Sequence, residues 1–159
     1  MTGDGLHLPV VGILMGSASD GPVMQETGTV LESYGIPYET RVLSAHRMPD
    51  AVRDYARNAS ERGLKLLIAG AGGAAHLAGV LASWSTLPVI GVPLASSPLG
   101  GQDALHAIVQ MPAGVPVACM AVGEAGARNA GHFAALVLAL GDPDIAKACV
   151  RHRQRLAEG

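Results

Sequence analysis

Apolar and polar positions along this chain switch repeatedly between two patterns. Residues 9–16, PVVGILMG, are a continuous apolar run that stops at the small polar stretch GSASD. Apolar positions then return at helical spacing, with Val23, Thr27, Val30, Leu31 and Tyr34 on one face and Gly35 as a stop. A second strand is expected over 37–43, a helix from Pro49 to Gly63, a third strand over 64–72 and a short apolar helix over 74–84. The alternation continues with a strand over 87–94, a helix over 101–111 and a fifth strand over 115–122. A helix almost free of charge covers 125–141, and the cap-like pair Asp142–Pro143 opens a last helix over 142–159.

Strands alternating with helices imply a parallel sheet covered on both faces, and continuous apolar strands fit that burial. The pattern predicts an α/β fold: a three-layer, flavodoxin-like, doubly wound parallel five-stranded sheet with an extra C-terminal helix. A single domain is expected over 1–159, with its core at about 9–141 and the C-terminal helix, about 142–157, in subunit contacts. In such sheets ligands bind outside the carboxyl ends of the strands, near the point where the chain order reverses. The strand-to-helix loops are therefore where chemistry is expected.

Composition changes the picture in one respect. Hydrophobic residues make up 49% of the chain and charged residues only 15%, against roughly 25% charged in ordinary globular domains. So little charge leaves a free monomer with apolar surface uncovered, and extensive contacts between subunits are expected. The formal net charge of −2 gives no reason to expect a nucleic-acid partner. The basic end RHRQR (151–155) reads as a solvated last helical turn. No stretch approaches the roughly 18 apolar residues of a membrane span and no leader pattern opens the chain, so no membrane partner is expected and the cytoplasm is the default compartment. Cys119 and Cys149 belong to no C-x-x-C pair and read as buried, inert thiols.

Three loops hold the candidate chemistry. In GSASDGP (16–22) a glycine lets the backbone turn, Ser17 and Ser19 offer hydroxyls, and Asp20 is placed to cap the next helix, whose free N–H groups make an anion seat. A phosphate or sugar site and a plain helix cap both fit. In SAHRMP (44–49) Ser44 can donate to an anion, and Arg47 is the only permanent cation in the first four strand-to-helix loops. His46 beside it carries an imidazole, the side-chain type whose ordinary pKa of about 6.5 permits proton traffic near neutrality. A capping or surface pair is the alternative. In AGAGGAAHL (69–77) Gly70, Gly72 and Ala75 match G-x-G-x-x-A. That dinucleotide fingerprint belongs after a first strand, and no acidic residue occurs between His76 and Gln102 to meet a ribose. What remains is a backbone able to approach a ligand closely and offer N–H groups to an anion. His76 falls in the first turn of the next helix, facing the site or packing.

Other chemistries lack their residues. His7, His106, His132 and His152 each stand alone in sequence without a partner at metal-ligand spacing, so no metal is expected. No G-x-x-x-x-G-K-[ST] loop supports ATP hydrolysis and no G-x-S-x-G elbow supports a serine hydrolase. Trp84 reads as core or interface, and Arg128 as a solvated helix residue or an anion contact. The residues alone describe a cofactor-free α/β site for a small phosphorylated, carboxylated ligand and a proton transfer.

Taken in order, MGSASD (15–20), SAHRMP (44–49), AGAGGAAHLAG (69–79), PVIGVPL (88–94), IVQMP (108–112) and AGARNA (125–130) resemble the successive signatures of the 5-(carboxyamino)imidazole ribonucleotide mutase family, also known as the catalytic subunit of phosphoribosylaminoimidazole carboxylase. The resemblance implies an isomerase of de novo purine (IMP) biosynthesis. It implies transfer of the carboxylate of 5-carboxyamino-1-(5-phosphoribosyl)imidazole from the exocyclic nitrogen to ring carbon 4, giving 5-amino-1-(5-phosphoribosyl)imidazole-4-carboxylate. The implied path is decarboxylation to aminoimidazole ribonucleotide, with the carbon dioxide trapped in the site until carbon 4 attacks it. No ATP, metal, biotin or other cofactor is implied.

The resemblance also assigns residues. His46 matches the family's catalytic histidine, and Arg47 its phosphate-binding arginine, with Ser19 and Ser44 as hydroxyl partners. Ser17 and Asp20 match further ligand-binding positions, Asp20 toward the ribose hydroxyls. The loop from Gly72 through Gly73, Ala74 and His76 to Leu77 is implied to give N–H groups to the migrating carboxylate. A homo-octamer with active sites built from more than one subunit is implied, acting after an ATP-dependent synthetase that forms the carbamate.

Some positions depart from the family pattern. Met48 replaces the commoner threonine, Glu124 stands where lysine is frequent, and PLASSPLGGQDAL (93–105) places Ala95 where an amide is usual and Pro98 where the loop is usually less stiff. Arginine at 47, where direct carboxylases typically carry lysine, favours the mutase. The alternatives are direct carboxylation of aminoimidazole ribonucleotide by carbon dioxide, and a non-catalytic flavodoxin-like module that binds a nucleotide or phosphate. That module would need Arg47 and Ser19 but not His46.

Overall fold

Every residue of the apolar run Val11–Met15 (β1) is buried, as is every residue of Val89–Leu94 (β4) and all but the last of Leu66–Gly72 (β3). Burial on both faces is what a parallel strand inside a covered sheet requires. With Tyr38–Val42 (β2) and Ala118–Cys119 (β5), these strands form one parallel sheet in the order β2-β1-β3-β4-β5 in the computed structural model, which describes residues 8–159. The candidate His7 lies outside the described residues. The polar residues of β2 find their explanation at the sheet edge, where Thr40, Arg41 and Val42 are exposed.

The connecting helices are Gly21–Ser33 (α1), Pro49–Asn58 (α2), Leu77–Trp84 (α3), Gln102–Val109 (α4), Glu124–Ala139 (α5) and Pro143–Glu158 (α6). Successive strand residues alternate between the two faces. Ile13 and Ile68 join a core with Met24 and Leu31 of α1, Ala130 and Ala134 of α5 and Cys149 of α6. Leu14 and Leu67 join the opposite core with Val52 of α2, Leu81 of α3 and Ile108 of α4. Burying each such aliphatic side chain contributes roughly 1.5–3 kcal/mol before chain entropy is set against it. The three-layer, doubly wound architecture with an additional C-terminal helix is thus the observed one.

Punctuation expected from the sequence has a physical basis. Gly35 (φ +71°) follows α1, with the Ile36 N–H donating to Leu31 and the Gly35 N–H to Glu32. Gly63 (φ +96°) closes the turn after α2 in the same way, through Leu64 to Ala59 and Gly63 to Ser60. Asp142 Oδ1 accepts the N–H groups of Asp144 at 2.9 Å and Ile145 at 3.2 Å, and Pro143 occupies the first turn of α6.

Several boundaries differ. The strand expected over 115–122 pairs only at Ala118 and Cys119, because Pro116 has no N–H to give the ladder. The helix expected to 111 ends at Val109, ahead of Pro112, and the one expected from 74 starts at Leu77. The helix expected to run from Pro49 to Gly63 ends as α2 at Asn58 and continues as turns. On α1 the buried positions are Met24, Thr27, Gly28 and Leu31, and Val23, Val30 and Tyr34 are half-buried. The apolar positions there are divided between the sheet and α5: Thr27 Oγ1 donates to the Ala127 carbonyl at 2.8 Å, and Gly131 leaves room for Val30. Cys149 is buried as expected, but Cys119, on the short edge strand, is half-buried. Trp84 is half in solvent with the Arg57 guanidinium 4.6 Å above its ring.

The winding also positions the site. The loop after β1 leads to α1 on one face, and the loops after β2 and β3 lead to α2 and α3 on the other, so a crevice opens at the carboxyl ends.

Candidate active site

A cavity of about 460 Å³ fills that crevice, within the usual range of small-molecule sites, about 300–1,000 Å³. All three candidate loops contribute to it.

Its first wall is the loop after β1. Ser17 is extended (φ −145°) and its Oγ accepts the Ser19 N–H at 3.3 Å, while Asp20 Oδ2 turns back to accept the Ser17 N–H at 3.2 Å. The reciprocal pair closes the short 3-10 turn Ala18–Asp20. Asp20 therefore does not cap α1 with its side chain, contrary to expectation, because its carboxylate is engaged by the preceding turn. The hydroxyls of Ser17 and Ser19 lie 2.8 Å apart. Asp20 is only 8% exposed, and burial pushes its carboxyl pKa up against the opposing pull of the Ser17 N–H. Such a carboxylate gains from hydroxyl donors brought by a ligand.

The loop after β2 is folded tightly around Ser44, whose carbonyl accepts the Met48 N–H at 2.8 Å and whose Oγ accepts the Arg47 N–H at 3.3 Å. Pro49 then starts α2. Ser44 is buried, whereas His46 and Arg47 are exposed toward the cavity they line. Arg47 Nη2 donates to the Gly16 carbonyl at 2.7 Å, joining the second loop to the first.

The loop after β3 brings in the second imidazole. His46 Nε2 and His76 Nδ1 are 2.7 Å apart, with the rings nearly perpendicular at 81°. Gly72 must be glycine for a packing reason, since a Cβ there would collide with the side chain of Ser96 and meet the Leu94 carbonyl. His76 and Leu77 line the cavity with Gly72. Gly73 and Ala74 are not among its lining residues: they lie in the turn closed by the Ala75 N–H on the Gly72 carbonyl at 3.1 Å, with Ala74 exposed and Gly73 half-buried.

Sequence reasoning missed Ser96, Ala45 and Ala71, which also line the cavity, and singled out Ala75, a further lining residue, only as a position of the glycine-rich match. Ser96 was open to detection as a hydroxyl just past β4, at the same end of the sheet as Ser17 past β1. The alanines carry no polar signal. His132 and His152, isolated in sequence, meet in a separate pocket of about 370 Å³, stacked with centroids 4.3 Å apart. The Tyr34 hydroxyl lies 2.9 Å from His132 Nδ1, and desolvation, helped by His152 and Arg153, holds the His132 pKa below its ordinary value. Among the described residues no group of three or more His, Cys, Asp or Glu is gathered for a metal ion. Arg128 pairs with Glu26 at 2.6 Å and Glu124 at 3.6 Å, which leaves it committed to surface ion pairs.

The cavity thus combines clustered hydroxyls and a guanidinium that suit a phosphate, a buried carboxylate that suits sugar hydroxyls, and a hydrogen-bonded imidazole pair beside an apolar wall. The profile of the family described as AIR carboxylase matches residues 10–159. The N5-carboxyaminoimidazole ribonucleotide mutase of Thermotoga maritima is 52% identical over 149 residues, covering 94% of this chain and 86% of that protein. The mutase of the same name from Bacillus subtilis is 53% identical over 146 residues, covering 92% and 90%. Among solved structures, a crystal structure of Treponema denticola PurE superposes with a TM-score of 0.85 at 28% identity, covering 94% of this chain and 92% of that one. These matches run through all of the loops that build the cavity, and the chain belongs to the AIR carboxylase family.

Proposed function

We propose that this protein is the isomerase that converts 5-carboxyamino-1-(5-phosphoribosyl)imidazole to 5-amino-1-(5-phosphoribosyl)imidazole-4-carboxylate in purine biosynthesis. The observation that carries the reading is the adjacency of His46 and Arg47 on one loop, with the imidazole paired to His76 and the guanidinium bonded across to Gly16. A phosphate held by Arg47, Ser19 and Ser44 tethers the ribonucleotide, Asp20 and Ser17 meet the sugar, and the imidazole ring of the substrate falls beside His46. His46 gives a proton to the departing nitrogen and takes one from carbon 4. Proton transfer of this type supplies about 10²–10⁴ in rate, and confinement of both reaction partners supplies the rest.

Homo-octamer assembly in the cytoplasm belongs to the same reading. Leu140 is 90% exposed, Leu156 63% and Val150 57%, all on or beside α5 and α6, which supports burial of this face between subunits. Light scattering tests the assembly, and a stable monomer contradicts it.

The reaction is tested by following ultraviolet absorbance with purified protein. The carbamate supplied without bicarbonate is expected to turn over. Turnover only of aminoimidazole ribonucleotide with bicarbonate would make the protein a direct carboxylase, and binding without any turnover would make it a sensor.

A further inference from the structure

The loop between β4 and α4 contributes one residue to the cavity, Ser96. Leu94, two residues earlier, pairs with Gly72 in the parallel ladder, and the Ser96 side chain lies against Gly72, where the missing Cβ leaves room for its hydroxyl. Little else holds the loop in that position. Ala95, Pro98, Leu99 and Gly100 are exposed, Gly100 and Gly101 hold positive φ, and Gly101 gives α4 no side-chain cap.

A single side-chain bond ties this loop to the helix that follows. Asp103, in the first turn of α4, accepts the Ser97 hydroxyl on Oδ2 at 2.6 Å. Ser97 in turn organises the loop: its Oγ accepts the Leu99 N–H at 3.2 Å and its carbonyl accepts the Gly100 N–H at 3.1 Å. Asp103 Oδ1 is shielded from solvent and is the one buried side-chain oxygen or nitrogen without a hydrogen-bond partner among the described residues. A shielded, half-satisfied carboxylate is costly to keep and calls for a role that offsets the cost. The residue it holds, Ser97, is the chain neighbour of Ser96.

Strand order indicates what Ser96 would meet. The sheet runs β2-β1-β3-β4, so the exits of β2 and β4 are three strand spacings apart, about 14 Å. Arg47 stands after β2 and bonds to Gly16 after β1, the imidazole pair joins the loops after β2 and β3, and Ser96 comes from beyond β3. A ribonucleotide anchored by its phosphate at Arg47, with its ring at His46, carries its carboxylate toward Gly72 and Ser96. A hydroxyl placed there makes a charge-assisted hydrogen bond to that oxyanion. Building on the mutase reading above, we propose that the Ser96 hydroxyl binds the carboxylate of the ligand and that Asp103, acting through Ser97, is the positioning residue that sets it there.

Aminoimidazole ribonucleotide and the 4-carboxylate product differ by that carboxylate alone, so calorimetric affinities for the two isolate this end of the ligand. Ser96→Ala is expected to weaken product binding by about 10-fold, as for loss of one hydrogen bond to a charged group, and to leave aminoimidazole ribonucleotide binding unchanged. Asp103→Ala is expected to reproduce that selective loss, and Ser97→Ala carries the same test if Asp103→Ala does not fold. Asp103→Asn keeps an acceptor for the Ser97 hydroxyl and is expected to restore most of the product affinity. Ser96→Ala combined with Asp103→Ala is expected to be no worse than either alone, since both act on one contact. Unchanged product affinity in Ser96→Ala would overturn the proposal. So would equal weakening of both ligands in the Asp103 and Ser97 variants, which would make this bond a structural tie of α4 only. A wild-type protein that does not isomerise the carbamate would overturn the underlying mutase reading instead.

Discussion

His46 Nε2 and His76 Nδ1 share a hydrogen bond of 2.7 Å across 30 residues of sequence and two strand exits. At that distance one nitrogen carries the hydrogen and the other offers a lone pair, so the tautomer of one ring sets that of the other. A base that must give a proton and recover it in the same cycle benefits from a partner that holds its ring in one orientation.

His46→Asn removes the imidazole but leaves a group able to hydrogen-bond His76. Ribonucleotide binding measured by calorimetry is expected to stay within a few-fold of wild type. The rate of isomerisation is expected to fall by at least the 10²–10⁴ or so that acid–base help supplies. Substantial turnover by this variant defeats the proton-shuttle role.

Arg47 links two loops through the Gly16 carbonyl at 2.7 Å while lining the cavity. Arg47→Ala is expected to weaken ribonucleotide binding by about 10- to 100-fold, the range for loss of a charge-assisted hydrogen bond to phosphate. The expected signature is a raised KM with a smaller change in kcat, since the phosphate is remote from the bonds that change. An unchanged KM removes Arg47 from the phosphate seat.

The exits after β1 and β2 were legible because each strand gives way to small residues with a hydroxyl among them, at Gly16–Ser17 and Ser44–Ala45, and the exit after β3 because it gives way to a glycine-rich stretch. Gly35, Gly63 and Asp142 were legible as helix stops and a cap because their geometry is local. Asp20 was legible as a polar residue at a helix start but not as a carboxylate turned back on Ser17, since both arrangements suit the same stretch. The meeting of His132 with His152 depends on how α5 packs against α6, and no spacing along the chain encodes it. Ala75 was legible only as a position of the G-x-G-x-x-A match: its left-handed backbone and its place beside the cavity are properties of the folded loop, and an alanine by itself signals neither.

Asp20 sits at a point where stability and binding oppose one another. Its pKa in the folded chain is raised chiefly by burial, so its contribution to stability is full below the unfolded value of about 3.9 and is lost as pH rises through the folded value. At neutral pH the ionised carboxylate is therefore a net burden on the fold. Asp20→Asn retains an oxygen acceptor for the Ser17 N–H and removes the charge. A higher melting temperature near neutrality is expected, with the advantage vanishing in acid, together with weaker ribonucleotide binding. A lower melting temperature at neutral pH would show that the carboxylate charge itself holds the turn.

The imidazole pair of α5 and α6 gives the opposite pH dependence. Desolvation, His152 and Arg153 all hold the His132 pKa below its ordinary value. The unfolded chain therefore takes up a proton at His132 at higher pH than the folded chain does. The associated stability is present above the unfolded value of about 6.5 and is lost as pH falls from there through the folded value. Three groups face His132 from neighbouring elements: the Tyr34 hydroxyl, the stacked ring of His152 and the Arg153 charge. The last can only disfavour a second positive charge. Melting temperatures recorded by scanning fluorimetry are expected to fall as pH is lowered below about 6.5. His132→Gln keeps a polar partner for Tyr34 but cannot titrate, and it is expected to flatten that decline while lowering stability at neutral pH. A decline with the same slope in the variant would assign the acid sensitivity to groups other than this pair.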